Sequence, residues 1–599
     1  MEKKLDRQTV PPELLPAYEQ VNRGRILVRA LRRKYKLDDA SCWVLLPTDS
    51  ETLNRLATGE ILLSFLEKRN CPKALILSPE RGRKQEGHTL RVRERELLYL
   101  SIRDAEFDAL LSYYRLVPFS QNLIVVSPDE PYSFSGWIGH FGITQEQFVR
   151  DGLFFGRSIN WLWWLTDPED IARAVDRNEG KMRGKRVYLY GWTHDAREII
   201  RALESRGYAL SGLLDSDPER ERSLPGTALR IQLPEEGLLP YDAEATVVIV
   251  SKYAHEMRRR LAALGYGEKQ TVEIPVSGGI CAVKDDSRET MEREFKTVME
   301  GVRLRREAGP QPMIVCQRGT GDVYYTCALL PGYLQARGID RYTLALPDNP
   351  SCAEVARLFG GGELRMYSEL ELHALYKAWE LLGGERMKLR PVLNLGSRLP
   401  RRFVPQTPDG KRPPWYHWLN CLRYQFFAAP GVHALTAPRQ RPYPEVAEDC
   451  LRKGLPEGRT VLLAPHVNAF SSVLARQTDF WPRLAGRLKA LGYKVLTNCA
   501  GDEQAIPGTE PICVPYGELV PFLNYAGRLV SIRSGLCDVA APAENCRMVL
   551  FYENGSGIGL EMWSLKKMGL HPNCAELLFT GDTQRLLEQT LEELEVEQS

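Results

Sequence analysis

The sequence lacks long apolar runs. Its longest apolar stretches, such as residues 61–66 and 247–250, fall far short of the roughly 20 residues that a membrane-spanning helix needs. The first residues, Met-Glu-Lys-Lys-Leu-Asp-Arg, have no apolar stretch behind their charges, so we expect no secretory signal. These absences predict a cytoplasmic protein without a transmembrane segment.

Net charge and clustered metal ligands are also scarce. Lys and Arg number 79 against 77 Asp and Glu, and a net charge of +2 provides no global field that would favour nucleic acid as a partner. The 13 cysteines and 9 histidines are scattered, with neither Cys-x-x-Cys nor His-Glu-x-x-His. Since zinc sites need clustered ligands and disulfide frameworks are typical of short secreted chains, we expect no metal site and reduced cysteines.

The remaining composition is that of a globular protein, with 43% hydrophobic and 26% charged residues. At roughly 150 residues per domain, 599 residues correspond to about four domains. Strand-like apolar runs alternate with helical stretches, which predicts an α/β protein with several Rossmann-like parallel-sheet domains. The predicted domains are an N-terminal α/β accessory domain at 1–180, a Rossmann-like domain at 184–285, and two further domains at 308–430 and 456–599. A charged helical linker at 288–307 precedes the third domain.

The second domain has the βαβ order of a dinucleotide-binding fold. A strand at 186–190 leads to Gly191, and Asp215 stands where a ribose-binding carboxylate would follow the second strand. However, Thr193 and Ala196 replace the second and third glycines of the fingerprint. The branched Thr193 would occupy the space that a pyrophosphate needs, so an accessory fold is favoured. An NAD-dependent sugar-nucleotide oxidoreductase that uses this domain is the alternative.

The third domain opens with a strand at 312–316 that runs into Gln-Arg-Gly-Thr-Gly-Asp. Glycines at a strand-to-helix turn leave backbone amides open to a ligand, and Asp322 would stand in the first turn of the helix, where the dipole favours a carboxylate. Asp322 is either a ligand-facing carboxylate or only a helix cap. The candidate loop for a phosphate or an acceptor comprises Arg318, Gly319, Thr320 and Gly321.

The fourth domain has two candidate loops. The strand at 460–464 is followed by Pro465, His466 and Asn468, and His466 is either a ligand contact or a pocket wall. The strand at 529–532 runs into Arg533-Ser-Gly535 and a new helix. Backbone amides, a hydroxyl and a planar guanidinium at a helix start indicate an anion site, with a capped helix and a solvated arginine as the alternative.

The order of these motifs resembles a known family. Gly321-Asp-Val-x-x-Thr326 is similar to the opening of heptosyltransferase-type GT-B glycosyltransferases. The stretch 461–481, Gly492-Tyr-Lys-Val495 and Val530-Ser-Ile-Arg-Ser-Gly-x-x-Asp-x-Ala540 are similar to the nucleotide-binding half of those enzymes. The resemblance covers about residues 312–555, which is under half of the chain.

The resemblance implies that the last two domains form a GT-B pair around a cleft. It implies an inverting transfer of a sugar from a nucleotide-sugar donor, without a metal or another cofactor, to a glycan or lipid-linked acceptor in cell-surface polysaccharide synthesis. Asp322 would be the general base on the acceptor hydroxyl. The implied donor-binding residues are Pro465, His466, Asn468, Arg533, Ser534, Gly535 and Asp538. This hypothesis requires Asp322 and Arg533 to face the same crevice, and opposite outer surfaces or dry burial of either side chain would contradict it.

One departure from the family pattern leaves a further alternative. The family usually has a Ser-Lys pair after the first strand of its second half, whereas residues 468–481 contain no lysine and only Arg476 as a cation. A non-catalytic scaffold that binds a sugar nucleotide would explain the missing lysine. The patterns carry no information on oligomeric state.

Overall fold

The computed structural model divides the chain into two compact units, Ile159–Lys284 and a larger unit of Met1–Ser158 with Asp285–Ser599. The structure describes residues 9–38, 41–45, 71–80, 88–92, 94–117, 123–126, 156–158, 168–191, 196–215, 231–250, 254–274, 288–316, 319–392, 417–419, 422–423, 434–467, 472, 474–477, 479–501, 503–553 and 560–595. These residues form four β-sheets, each inside one of the four predicted domain ranges. No helix among them is long and apolar enough to cross a membrane.

The first sheet has a parallel centre with an antiparallel strand at each edge. Its strands are β1 (Cys42–Leu45), β2 (Lys73–Pro79), β3 (His88–Val92), β4 (Arg95–Ile102), β5 (Leu123–Val126) and β6 (Gly156–Ser158). The spatial order is β3-β4-β2-β1-β5-β6, with β3 and β6 antiparallel to their neighbours. A 3₁₀ turn at Pro12–Leu14 precedes helix α1 (Leu15–Tyr35), and α2 is Asp104–Leu116.

The smaller unit is a doubly wound parallel sheet. Its strands are β7 (Arg186–Tyr190), β8 (Leu210–Leu214), β9 (Ile231–Gln232), β10 (Ala245–Ile249) and β11 (Thr271–Glu273), in the order β11-β10-β7-β8-β9. The helical segments are α3 (Pro168–Arg177), α4 (Glu179–Met182), α5 (Ala196–Glu204), α6 (Pro234–Gly237), α7 (Ala254–Ala263) and a 3₁₀ turn at Glu268–Gln270. Alternate residues of β10 belong to different apolar clusters, Val248 to one and Val247 with Ile249 to another. The sheet therefore buries both faces.

The third sheet contains β12 (Met313–Cys316), β13 (Thr343–Pro347), β14 (Glu363–Tyr367) and β15 (Leu389–Val392), all parallel and ordered β14-β13-β12-β15. Its helices are α8 (Arg288–Glu307), α9 (Thr320–Arg337), α10 (Pro350–Phe359), α11 (Glu369–Leu382) and α12 (Gly384–Met387).

The fourth sheet is parallel throughout, with the strand order of a Rossmann fold, β18-β17-β16-β19-β20-β21. Its strands are β16 (Thr460–Ala464), β17 (Lys494–Asn498), β18 (Glu510–Ile512), β19 (Gly527–Ile532), β20 (Arg547–Glu553) and β21 (Ala575–Phe579). The helices are α13 (Tyr443–Arg452), α14 (Phe480–Ala490), α15 (Tyr516–Ala526), α16 (Gly535–Ala540), α17 (Leu560–Trp563) and α18 (Thr583–Glu595), with a 3₁₀ turn at Leu474–Arg476. The predicted α/β class, with several Rossmann-like parallel sheets, is confirmed.

Within the larger unit, one continuous apolar cluster connects three sheets. It includes Val44 of β1, Ile314 of β12, and Leu462 and Leu550 of the fourth sheet. Residues of the first sheet therefore share a hydrophobic core with the two sheets that carry the predicted transferase motifs.

Two pairs of helices in the larger unit cross closely, α1 with α2 and α8 with α11, and Lys377 of α11 connects the two pairs. A β-carbon added at Gly24 of α1 would lie 2.0 Å from the carbonyl oxygen of Ala109, and one at Gly301 of α8 would lie 2.0 Å from that of Ala374. The buried Lys377 of α11 donates from Nζ to the Leu116 carbonyl at 2.6 Å and pairs with Glu294 of α8 at 3.1 Å. The segment predicted as a charged linker is thus a packed helix.

Replacing Gly301 with alanine tests the crossing of α8 and α11. The added methyl group meets backbone that has to shift, so we expect Gly301→Ala to lower the free energy of unfolding by about 1–3 kcal/mol. Gly486 of α14 is the matched control, since no described atom lies within 4 Å of a β-carbon built there. Gly486→Ala should raise stability by about 0.5–1 kcal/mol, because alanine is the better helix former. Denaturant unfolding of the full chain checks both signs, and an unchanged Gly301→Ala protein would contradict the crossing.

Candidate active site

The candidate loops leave the third and fourth sheets where the strand order reverses. In the fourth sheet, Ala464 of β16 pairs with Ser531 of β19, so Pro465 and Arg533 follow neighbouring strands at the same edge. In the third sheet, Cys316 of β12 pairs with Val392 of β15, and the chain continues from Cys316 towards the start of α9. Open α/β sheets bind ligands at the carboxyl ends of strands at such reversal points.

The two predicted glycine turns contact each other directly. A β-carbon added at Gly535 would lie 2.6 Å from the backbone nitrogen of Gly321 and 3.1 Å from Cβ of Thr320. A β-carbon added at Gly321 would lie 3.2 Å from Cα of Gly535 and 2.1 Å from Oδ2 of Asp538. Glycine is needed on both sides for this approach, which brings together the Gly-Asp turn of the third sheet and the Arg-Ser-Gly turn of the fourth.

Asp538 is the buried centre of this contact. Its Oδ1 accepts a hydrogen bond of 2.8 Å from the hydroxyl of Tyr325 on α9, and both of its carboxylate oxygens accept from Arg533 at 2.5 and 3.0 Å. Burial and the charge of Asp538 raise the pKa of the Tyr325 hydroxyl well above its ordinary value, so the hydroxyl keeps its proton and donates. Asp538 therefore connects both halves of the site.

The structure corrects the role predicted for Arg533. Its side chain is buried, and besides pairing with Asp538 it donates from Nε to the Trp563 carbonyl at 3.0 Å and from Nη1 to the Ser534 carbonyl at 2.6 Å. Burial on its own would lower the pKa of the guanidinium, but the charge of Asp538 raises it well above the usual value. Arg533 is thus a buried, charged structural group that holds the turn, and the prediction that its donor fork faces the crevice is wrong.

Asp322 directly follows Gly321, the residue that contacts Gly535. Its side chain is half-buried in the first turn of α9. Gly319 leaves room for it, because a β-carbon there would lie 3.0 Å from the Asp322 carboxylate oxygen Oδ2. Burial first, and the charge of Asp322 second, raise the pKa of Cys352 to about 11. Cys352 lies on α10, so the Asp322 carboxylate is close to the start of a second helix of the third sheet.

The starts of further helices come together around this point. The backbone nitrogen of Tyr516, the first residue of α15, donates to Oε1 of Glu354 on α10 at 2.7 Å. Helices α9, α10, α15 and α16 pack against one another in consecutive contacts, and α9 with α10 belongs to the third sheet while α15 with α16 belongs to the fourth. Helix N-termini favour anions. Carboxylates of the protein already lie at these ends, Asp322 in the first turn of α9, Asp538 in that of α16, and Glu354 against the start of α15.

The predicted donor residues of the fourth sheet that the structure describes lie along the same edge. Pro465 is buried, and the half-buried His466 has Nε2 2.9 Å from the carbonyl oxygen of Gln504. Ser534 is the cap residue of α16, and its hydroxyl makes no capping hydrogen bond but lies 4.0 Å from the sulfur of Cys537. Arg318 and Asn468 lie outside the described residues.

The first glycine of the fingerprint in the smaller unit has a structural role. Gly191 directly follows β7 with φ +101°, and a β-carbon there would lie 2.5 Å from the Val250 carbonyl oxygen. The glycine is therefore required for strand packing. Asp215 follows β8 and is buried, whereas Thr193 lies outside the described residues.

Three residues at the carboxyl edge were missed by the sequence analysis. From the sequence alone, Tyr325 would be taken for a core residue of an apolar helix. Glu553 ends β20 and is buried, and its Oε1 accepts from the Leu474 amide at 3.0 Å and from the hydroxyl of Ser472. Asn498 ends β17, and its buried Oδ1 accepts no hydrogen bond from the described residues. Polar residues that directly follow apolar strands were the available signal for Glu553 and Asn498.

Metal ligands do not cluster in the part of the chain that the structure describes, where no three His, Cys, Asp or Glu side chains come together as a metal site requires.

Removing the charge of Asp538 tests the shared carboxylate. We expect Asp538→Asn to cost about 3–5 kcal/mol of stability, because Arg533 is left buried without a counter-charge. Tyr325→Phe removes only one neutral donor and should cost about 0.5–1.5 kcal/mol. Denaturant unfolding of both variants measures the difference. Equal losses would show that the Arg533–Asp538 pair is not the dominant interaction.

Comparison with known proteins gives matches only among solved structures. No family model matches the sequence, and no curated protein matches it. The E. coli ADP-heptose lipopolysaccharide heptosyltransferase II is 15% identical, with a TM-score of 0.32, over 48% of this chain and 100% of that one. A family 9 glycosyltransferase from Veillonella parvula is 11% identical, with a TM-score of 0.30, over 48% and 90%. The E. coli heptosyltransferase WaaC with ADP is 15% identical, with a TM-score of 0.30, over 47% and 100%. Solved structures similar to this chain thus include heptosyltransferases, the family that the sequence motifs resemble.

Proposed function

We propose that this protein is a glycosyltransferase that moves a sugar from a nucleotide-sugar donor to a hydroxyl group of an acceptor. The observation that carries the proposal is the contact between Gly321 and Gly535, which sets Asp322 beside the Ser-Gly turn of the fourth sheet. A carboxylate from one Rossmann-like half and an anion-binding turn from the other meet at the carboxyl edges of their sheets. Sugar transfer from a nucleotide sugar needs both groups, the carboxylate as a base for the acceptor hydroxyl and the turn to stabilise the phosphate leaving group.

The donor would bind to the fourth sheet. Backbone amides at the start of α16 would bind the diphosphate, while Arg533 holds the turn through its hydrogen bonds to the Ser534 and Trp563 carbonyls. Asn498 ends the second strand of a Rossmann-like sheet, and its Oδ1 accepts no hydrogen bond from the residues that the structure describes. A ribose hydroxyl could donate to it there. The ring of His466 would line the same pocket. Nucleotide recognition then depends on neutral groups and helix dipoles, without the lysine typical of the family.

Asp322 would act as the general base. As the acceptor oxygen forms its bond to the anomeric carbon, the carboxylate takes the hydroxyl proton, and the bond to the donor phosphate breaks on the opposite face. The anomeric configuration inverts, and the nucleoside diphosphate leaves with a charge that the amides stabilise. We extend the proposal to a reaction without a metal or other cofactor, to a glycan or lipid-linked acceptor in cell-surface polysaccharide synthesis, and to a cytoplasmic location.

The donor is identified first, by thermal-shift measurements on the full chain with nucleoside diphosphates and their sugars. A ligand that binds only the folded state stabilises it by about 2.7 kcal/mol when its concentration is 100 times Kd. We expect one nucleotide class to raise the melting temperature, and its sugar form to be consumed when acceptor extracts are added. No shift with any nucleotide would contradict both the transferase and the scaffold hypothesis.

The second measurement is the transfer rate of Asp322→Asn. Loss of the general base should lower turnover by about 100- to 10,000-fold, while donor binding persists. Asp340→Asn is the matched control, because Asp340 is exposed before β13, at the opposite edge of the same sheet. Unchanged turnover in Asp322→Asn would refute the role of that carboxylate. A wild-type protein that binds a donor and never consumes it would favour the non-catalytic scaffold.

A further inference from the structure

Two cysteines stand side by side at the carboxyl edge of the fourth sheet. In the parallel pair β17–β18, Thr497 is registered with Pro511 and Asn498 with Ile512. The amide of Cys499 donates to the Ile512 carbonyl at 2.8 Å, which extends the ladder by one residue and brings Cys499 opposite Cys513. Neighbouring strands lie about 4.7–4.9 Å apart, within the 4.4–6.8 Å range of Cα separations found in disulfides. Registered residues of parallel strands also point to the same face of the sheet.

These two thiols differ from the other described cysteines in their exposure. Cys513 is exposed and Cys499 is half-buried, whereas the other cysteines in the described ranges are buried. Burial, the charge of Glu503 and the neighbouring Cys513 raise the pKa of the Cys499 thiol. An oxidant in solution therefore meets Cys513 first, and Cys499 is close enough to react with the product.

We propose that Cys499 and Cys513 are a dithiol site that a small-molecule disulfide oxidises reversibly to an intramolecular disulfide. The Cys513 thiolate attacks one sulfur of the small disulfide, which forms a mixed disulfide and releases one small thiolate. The Cys499 thiolate then attacks the sulfur of Cys513, which forms the Cys499–Cys513 bond and releases the second thiolate. The two protons of the cysteines end on the two released thiols, and two electrons pass from the protein to the small disulfide.

The loop that this bond would close belongs to the candidate donor pocket. Residues 499–513 include Gln504, whose carbonyl contacts His466, and the loop follows directly on Asn498. It is held by hydrogen bonds between the hydroxyls of Thr497 and Thr509 and from the Ile506 amide to Thr497. A disulfide needs Cβ atoms about 3.5–4.5 Å apart, less than the strand spacing of about 4.7–4.9 Å, so oxidation draws the strand ends together and shifts the loop. The consequence for the donor rests on the proposed function.

Disulfide mapping of the full chain tests the dithiol without reference to the donor. The protein is treated with oxidised glutathione, free thiols are alkylated, and peptides are analysed by mass spectrometry with and without reductant. We expect a reducible peptide pair linking Cys499 and Cys513. Cys499→Ser should instead keep glutathione on Cys513, because the attacking thiol is missing. Cys574→Ser, which removes a buried thiol, is the control and should form the same linked pair.

Two results would contradict the proposal that Cys499 and Cys513 form a dithiol site. One is a wild-type protein in which both cysteines are alkylated after oxidation, and the other is a stable glutathione adduct on wild-type Cys513. Thermal unfolding of the reduced variants shows whether each is folded.

Nucleotide binding by the reduced and oxidised proteins tests the consequence for the pocket. We expect the disulfide to weaken nucleoside diphosphate binding at least about fivefold, with full recovery on reduction. Cys513→Ser should bind equally under both conditions. Equal binding by reduced and oxidised wild type would overturn the coupling to the pocket. A mapped disulfide in a protein that binds no nucleotide would refute the proposed function and leave the dithiol intact.

Discussion

A single buried carboxylate determines how the two halves of the candidate site meet. Asp538 accepts hydrogen bonds from Arg533 in its own turn and from Tyr325 on a helix of the other sheet. Burying a carboxylate or a guanidinium alone is costly, so each group is tolerated because the other is present. Asp538 also occupies the space that a side chain at Gly321 would fill. The glycines of both motifs, the buried arginine and the position of Asp322 all follow from this contact.

This constraint changes the meaning of the Arg-Ser-Gly motif. In the sequence, an arginine just before a helix suggests a phosphate ligand, because its guanidinium group and the N-terminus of the helix both favour a negative charge. In the folded protein the hydrogen bonds of Arg533 go to Asp538 and to two backbone carbonyls. What this turn offers a ligand is therefore the backbone of Ser534 and Gly535.

The parallel topology explains why so many polar residues share one edge. All strands of the fourth sheet run in the same direction, so the residues that follow them emerge together: His466 after β16, Asn498 and Cys499 at the end of β17, and Cys513 after β18. A covalent bond between Cys499 and Cys513 would lie directly beside Asn498, the proposed ribose contact. The first sheet packs into the same hydrophobic core as the third and fourth sheets, because its residues share the apolar cluster of the larger unit.

The sequence alone determined the α/β class, the four sheets and the strand-to-helix turns that carry Asp322 and Ser534. These features are local: apolar periodicity makes the strands and helices, and glycine permits the turns. Only the tertiary structure decided that α8 is packed instead of a linker, and that the first sheet joins the core of the third and fourth. It also decided that Arg533 is buried and that Tyr325 bonds to a residue 213 positions away. Burial and long-range pairing depend on how elements from distant parts of the chain pack, and no local pattern encodes which donor will meet which acceptor.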